Sequence, residues 1–303
     1  MLTFVAGQTV GSVDRGWKAG SEGELRVINK SLKRLVTEAL EEDIGHEDIT
    51  TNRTVPSNTR CRARLVAKQD GVLSGIGVFR LAFDCMKARI EDWQAVSDGT
   101  RFTRGDELAS FAGDARAVLT AERTALNFIQ RLSGVATLTA RYAASVADLD
   151  VRICDTRKTT PLMRRLEKEA VVHGGGSNHR FNLFNGILIK ENHIRAAGGI
   201  GAAVRNASGG AHHLMKIEVE VSNLDEFDEA VRAGADAIML DNMGLDDMRE
   251  AVRRAQARHV VIEASGNASL ENIRAIAETG VHIISVGALT HSAPAADLSL
   301  LLC

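Results

Sequence analysis

The chain has 303 residues, 45% of them apolar, 25% charged and 4% aromatic, with three prolines and 27 glycines, a mixture that suits an α/β protein better than a β sandwich. Its net charge of -2 excludes wholesale attraction to nucleic acid but leaves room for a local basic pocket. Cys61, Cys85, Cys154 and Cys303 include no CxxC pair, which speaks against a zinc site and fits a reducing compartment. No basic stretch followed by an apolar run opens the chain, and no apolar run reaches about 18 residues, so neither a signal peptide nor a membrane span is expected and the cytoplasm is the expected location.

Residues 1–24 hold several glycines and no sustained apolar period, and read as a mobile tail without chemistry. A helix is predicted near Leu32–Ala39, where Leu32, Leu35, Val36 and Ala39 share a face. From Cys61 to Phe111 short strand-like runs such as Arg62–Lys68, broken by Gly71, Gly75, Gly99 and Gly105, indicate a small α+β unit. Thr120 is expected to open a long helix with Glu122 in its first turn, where the helix dipole favours an acid.

After that helix the pattern alternates. Strand-like runs fall at Val151–Cys154, Gly186–Ile189, Ile217–Val221, Ala237–Leu240, Val260–Glu263 and His282–Val286, with a short seventh at Ala170–Val172. Helices are predicted between them at Leu224–Val231, Leu245–Ala255 and Leu270–Ala277, and Gly234 and Gly280 stop two of them. Such alternation means βα units and a parallel sheet. A barrel is favoured over an open dinucleotide-binding sheet because no GxGxxG opens the first unit.

In a βα barrel the chemistry sits at the C-terminal ends of the strands. Those ends carry Asp155-Thr156-Arg157-Lys158, Lys190, Glu220, Asp241, Ser265-Gly266 and Gly287. A single strand-end lysine is as often a solvated side chain; the joint occurrence is what points to a catalytic site. The charges also segregate: residues 152–195 hold nine Lys/Arg against four Asp/Glu, and residues 218–250 eleven Asp/Glu against two Lys/Arg. Most of that acidic excess belongs to exposed helix faces, but Glu220 and Asp241 end apolar strands. Cations on one side and two carboxylates on the other suit an anionic substrate with a Mg2+-bound polyphosphate. Gly174-Gly-Gly-Ser-Asn-His179-Arg180 is no P-loop, and reads as a loop presenting two donors to a carboxylate, as Arg157 also can. Glu263-Ala-Ser-Gly-Asn267 and Ser285-Val-Gly-Ala-Leu-Thr-His291 follow the last two strands, where barrels commonly hold phosphate.

Together these residues resemble one family, quinolinate phosphoribosyltransferase, from about Leu32 to Leu301. The resemblance rests on Ala39-Leu-Glu-Glu-Asp-Ile-Gly45 with Asp48-Ile-Thr50, Thr120-Ala-Glu-Arg-Thr-Ala-Leu-Asn127, Asp155-Thr-Arg-Lys-Thr-Thr-Pro161, the Gly174–Arg180 loop, Leu188-Ile-Lys-Glu-Asn-His193, Glu218-Val-Glu-Val221, Met239-Leu-Asp-Asn242 and Val286–His291. It implies a cytoplasmic pentosyltransferase that joins quinolinate to the ribose of PRPP, giving nicotinate mononucleotide, CO2 and pyrophosphate on the route to NAD. The implied fold is an incomplete seven-stranded βα barrel over residues 119–291 with an N-terminal α/β sandwich domain over 25–118, which the C-terminal segment 292–303 joins. The implied assembly is a homodimer with a shared active site.

By the same resemblance Arg123, Arg157, His179, Arg180 and Lys190 hold quinolinate's carboxylates, Arg123 reaching in from the neighbouring subunit. Lys158, Glu220 and Asp241 serve the PRPP ribose and its pyrophosphate, with Glu220 and Asp241 holding Mg2+ partly through PRPP and water. Ser265, Gly266, Gly287 and His291 take the 5′-phosphate. No organic cofactor, nucleic acid or membrane is implied. Three departures stand out: Leu162 where the family usually has glycine, Glu169 where tyrosine is common, and Asp114 for a turn proline. The alternatives are a Schiff-base barrel lyase using Lys190 or Lys158, a branch of the family associated with molybdenum transport, and a catalytically dead binding protein.

Overall fold

The computed structural model describes residues 22–256 and 258–303. Most of the tail expected over residues 1–24 lies outside the described residues. Helix α1 (Glu22–Ile44) buries Val36 and Leu40 on the predicted face, and α2 (Ile49–Thr54) is capped by Asp48, whose side chain accepts from the Thr51 amide at 2.9 Å. Strand β1 (Arg60–Ala67), β2 (Gly71–Val72), helix α3 (Ile76–Cys85), β3 (Glu91–Ala95), β4 (Arg101–Phe102) and β5 (Glu107–Asp114) follow. β2 pairs with β4, while β1, β5 and β3 form an antiparallel sheet whose core is aromatic: Phe83 packs on Phe79 and Phe111 with ring centroids 5.0 and 5.1 Å apart.

Helix α4 (Ala115–Ser145) links this sheet to the rest of the chain. It starts five residues earlier than the sequence pattern suggested, because Asp114 is its cap and accepts from the Ala117 amide at 3.0 Å. Thr120 and Glu122 therefore lie past the first turn. Thr120 donates to Asp48 at 3.0 Å, and burial raises the Glu122 carboxyl above the usual range despite Arg123 beside it.

The second half runs β6 (Arg152–Cys154), α5 (Arg164–His173), β7 (Ile187–Ile189), α6 (Glu191–Ala197), α7 (Ile200–Gly210), β8 (Ile217–Val221), α8 (Leu224–Ala233), β9 (Ala237–Asp241), α9 (Leu245–Ala255), β10 (Val261–Ser265), α10 (Ile273–Ala277), β11 (Ile283–Ser285), α11 (Ala288–His291) and β12 (Leu298–Leu302). Six strands form one parallel sheet in the order β6-β11-β10-β9-β8-β7, and β12 returns to pair antiparallel with β1. The seventh strand expected at Ala170–Val172 is helical: these residues end α5, with Ala170 and Val171 buried beside Leu166 and Val172 turned outward, a spacing of four that a helix satisfies and a strand does not. Instead a single parallel bridge between Cys154 and Ser177 extends the ladder beyond β6.

Register explains which side chains face inward together. Glu220 pairs with Met239, and Met239 with Glu263, while Asp241 pairs with Ser265 and Ser265 with Ser285. With a period of two, Glu218, Glu220, Asp241, Glu263, Ser265 and Ser285 all emerge on one face, and the alternate residues Val219, Ile238, Leu240, Ile262 and Ile284 pack under the helices.

Candidate active site

A cavity of about 490 Å³ opens on that polar face, at the C-terminal ends of the strands. It is lined by Arg157, Lys158, His179, Arg180, Lys190, Glu220, Asp241, Ser265 and Gly266, all singled out from sequence, and also by Thr156, Asn242, Glu263, Asn267 and Ser285. A Cβ on Gly287 would lie 3.1 Å from Lys158 Cδ and 3.2 Å from His291 Nε2, so these two residues stand beside Lys158 at the rim. Gly287 and His291 are thus outside the lining itself, and Arg123 lies apart altogether, exposed on α4.

The loop from Arg157 to Met163 is tied down from several sides. Thr290 donates its hydroxyl to the Lys158 carbonyl at 2.8 Å. Arg164 donates to Thr159 at 3.0 Å and to the Arg157 carbonyl at 3.3 Å. The buried Glu167 accepts the Thr160 amide at 2.9 Å and its hydroxyl at 2.7 Å, and pairs with Arg131 of α4. Leu162, the residue in place of the family's glycine, has φ +63, the left-handed region that favours glycine. Its side chain projects into solvent. Glu169 makes only a surface pair with Arg165.

The Gly174–Gly176 run is required for close approach rather than for mobility. A Cβ at Gly174 would come within 2.4 Å of the Ala136 carbonyl oxygen, so the loop lies flat on α4. Asp155 and Lys168, both buried and paired, then fix the next residues: Asp155 accepts the His179 amide at 2.8 Å and Lys168 donates to the His179 carbonyl at 3.0 Å. Burial pushes the Asp155 carboxyl upward, against the pull of Lys168 and His179. Asp155 thus serves the scaffold, not the cavity.

The cationic wall is poorly neutralised by the protein itself. The Nε–H groups of Arg157 and Arg180 are buried without a partner among the described residues, although Arg180 Nη1 donates to the Gly186 carbonyl at 2.9 Å. Burial, and then the charge of Arg157, lower the proton affinity of Arg180. Lys190 instead forms an ion pair with Glu220 across β7 and β8. Lys158 is exposed, so neither lysine is the desolvated amine that a Schiff-base lyase needs.

His179 Nε2 faces two carboxylates, Glu218 at 3.3 Å and Glu263 at 3.6 Å. Burial lowers its proton affinity, but these carboxylates more than offset that and leave it raised. At the far strand ends Gly266 has φ +92, and a Cβ there would meet Asn242 Oδ1 at 2.3 Å. Asn242 and Asn267 are left-handed as well and hydrogen-bond each other at 2.9 Å, so three adjacent backbone positions are shaped at the place assigned to phosphate. Asn242 and Asn267 belong to the Met239–Asn242 and Glu263–Asn267 segments, and Glu263 is an acid inside an apolar strand, which is the signal in the sequence for all three.

Two family models match the chain: "Quinolinate phosphoribosyl transferase, N-terminal domain" over residues 48–133 and "Quinolinate phosphoribosyl transferase, C-terminal domain" over residues 135–301. The chain is 42% identical over 269 residues, 89% of its length and 92% of the relative's, to a Bacillus subtilis protein named probable nicotinate-nucleotide pyrophosphorylase [carboxylating]. A protein of the same name from Synechocystis is 43% identical over 263 residues, covering 86% of this chain and 89% of its own. The solved nicotinate-nucleotide pyrophosphorylase from Francisella tularensis superposes with a TM-score of 0.86 at 41% identity, covering 91% of this chain and 97% of that one. This chain belongs to the quinolinate phosphoribosyltransferase family.

Proposed function

We propose that this protein transfers the phosphoribosyl group of PRPP to the ring nitrogen of quinolinate, releasing pyrophosphate, and that loss of one carboxylate as CO2 then gives nicotinate mononucleotide for NAD biosynthesis. The carrying observation is the pair of half-buried guanidinium groups, Arg157 and Arg180, whose buried Nε–H donors have no partner among the described residues, in one cavity with two strand-end carboxylates. The guanidiniums, with His179 and Lys190, suit the two carboxylates of a pyridine dicarboxylate. Across the cavity Glu220 and Asp241 face the sugar carbon, where positive charge develops as pyrophosphate leaves, and Lys158 meets the growing negative charge of the leaving group. The left-handed turn at Asn242, Gly266 and Asn267, with Ser265, Gly287 and His291, cradles the 5′-phosphate.

The donor set also suits Mg2+. Glu220 and Asp241 offer only hard oxygen atoms from adjacent strands, beside the lysine that would face a diphosphate. When bound, the ion would neutralise part of the diphosphate charge. Glu220 and Asp241 would hold the ion, and Lys190, which pairs with Glu220, lines the same cavity.

The remaining parts of the reading follow. The convergence of His179, Glu218 and Glu263 on one point supports a sheet curved into an open barrel over residues 119–291, beside a unit formed by 25–118 and 292–303. Exposed Arg123 suits a two-fold dimer in which each copy completes the other's cavity. No helix among the described residues is long and apolar enough to cross a membrane, which agrees with action in the cytoplasm.

The test is one assay with PRPP, Mg2+ and either quinolinate or nicotinate. Quinolinate should yield CO2 and nicotinate mononucleotide. Nicotinate leaves a buried Nε–H donor unpaired at a cost of about 1–3 kcal/mol and should not be used. Comparable turnover of the two acids would refute the assignment.

A further inference from the structure

Glu263 lines the cavity and is none of the groups that hold quinolinate, PRPP or Mg2+ in the proposed reaction. Glu263 sits mid-strand in β10 between apolar Ile262 and Ala264, faces the cavity, and is only 1% exposed. Ionising a carboxyl in such a place is costly unless a cation pairs with it. Among the described residues no lysine or arginine does so. Its nearest titratable neighbours are another acid and a histidine: Glu218 on β8 and His179, with all three functional atoms within 4.8 Å of one another. His179 Nδ1 accepts the Arg180 amide at 2.7 Å, so the ring carries its proton on Nε2, the nitrogen facing both acids. That one proton cannot neutralise two carboxylates. Meanwhile Glu263 Oε1 and Ser285 Oγ, from neighbouring strands, are buried without a well-formed hydrogen bond among the described residues, although Ser285 stands near enough to favour the ionised form of Glu263 somewhat.

The groups facing Glu263 are therefore Glu218 from β8, His179 from the loop after α5, Ser285 from β11 and Cys154 from β6. Cys154 is no acid at ordinary pH, since burial first and then Glu263 and Asp155 hold its thiol up at about 12. Burial, and next the charge of Glu218, lift the Glu263 carboxyl well above the usual carboxylate range, against the opposing pull of His179.

We propose that Glu263 is the acid that delivers a proton to the ring carbon from which carbon dioxide departs. When the carbon–carboxylate bond breaks, its electron pair stays on the carbon next to the pyridinium nitrogen. That carbon takes the Glu263 proton and forms a C–H bond, leaving Glu263 ionised, and solvent reprotonates Glu263 after product release. Atoms and charge balance without any further reactant. Until the carbon is protonated, CO2 formed beside it can add back. A missing donor therefore slows net CO2 release and not phosphoribosyl transfer. The inference rests on the function proposed above, and the two small products keep the ideas apart: pyrophosphate reports transfer, CO2 reports the proton.

The experiment is a rapid-quench single turnover of Glu263→Gln, which matches the shape of the side chain but has no acidic proton. The variant should release pyrophosphate within about threefold of the parent protein and CO2 at least about tenfold more slowly, with the undecarboxylated mononucleotide accumulating between. Equal slowing of both products, or unchanged CO2 release, overturns the proposal. A parent protein that releases no pyrophosphate overturns the proposed function instead. If the variant fails to fold, the parent protein decides: its CO2 step should fall with rising pH while its pyrophosphate step holds. A CO2 step flat between about pH 6 and pH 9 overturns the proposal.

Discussion

Glu167 touches no part of the cavity, yet the geometry makes it one of the more damaging places to alter. Its Oε1 accepts from Arg131 Nε at 3.1 Å, Arg131 Nη2 at 2.9 Å and Thr160 Oγ1 at 2.7 Å, while Oε2 accepts the Thr160 amide at 2.9 Å. Every neighbour is a donor. A glutamine there must point its own donor at one of them whichever way the amide turns. The change loses one charge-assisted hydrogen bond and leaves a buried donor unmatched, together about 2–4 kcal/mol. The damage also reaches the site, because Thr160 lies two residues from Lys158. Arg131 donates to the Thr290 carbonyl as well, and the Thr290 hydroxyl holds the Lys158 carbonyl. Glu167→Gln should therefore unfold at lower urea and lose at least about tenfold in kcat through misplacement of Arg157 and Lys158. Glu167→Asp keeps the charge and should recover part of both. If Glu167→Gln unfolded within about 0.5 kcal/mol of the parent protein and turned over normally, the clamp would have no energetic meaning.

Three further outcomes are expected. Leu162→Gly relieves a left-handed strain of about 1–2 kcal/mol but adds about 0.5–1 kcal/mol of unfolded-state entropy, so urea unfolding should show a change between none and a small gain; a clear loss would mean that the side chain packs after all. For Glu263, the raised folded-state pKa means its cost is absent below the unfolded value of about 4.3 and grows as pH rises toward the folded value; Glu263→Gln should therefore gain stability relative to the parent protein from about pH 4 upward, and a pH-independent difference would contradict the raised pKa. Arg123→Ala and Lys190→Ala should each be nearly inactive, yet refolding an equal mixture should recover about a quarter of parent activity, since half the dimers then hold one intact cavity; no recovery would place Arg123 in its own subunit's site.

The alternation of apolar strands and amphipathic helices was legible because each βα unit obeys its own local period, and the strand-end residues followed from it directly. The errors came where tertiary contact overrides local pattern. Ala170-Val-Val172 reads as a strand by composition, but α5 needs Ala170 and Val171 on its buried face beside Leu166. The start of α4 was missed because the departure at Asp114 was weighed as a lost proline, when its carboxylate is the cap. The glycine run at Gly174 reads in the sequence as a loop presenting His179 and Arg180, while the constraint on the glycines themselves is a helix carbonyl 2.4 Å from where a Cβ would stand. No periodicity reports such a distance. Glu263 escaped for the opposite reason: the sequence shows the acid, and register sets it level with Glu220 through Met239, but only the three-dimensional arrangement brings it to Glu218 and His179.

The resting charges of the cavity also bear on why a diacid fits. Carboxylates stand close to the cationic wall, so the protein had the means to neutralise Arg157 and Arg180 internally. It does not: Glu220 is taken by Lys190, and Glu218 and Glu263 are turned toward His179. Two neighbouring guanidiniums are thereby left with buried, unpartnered donors, a state that is unfavourable by burial and by mutual repulsion. A ligand with one carboxylate relieves only part of it. A ligand with two adjacent carboxylates can satisfy both forks, and that difference becomes discrimination between diacid and monoacid. On this argument, exchanging Arg157 for lysine keeps the charge but loses the planar fork, so selectivity for the diacid should fall more than the overall attraction to anions.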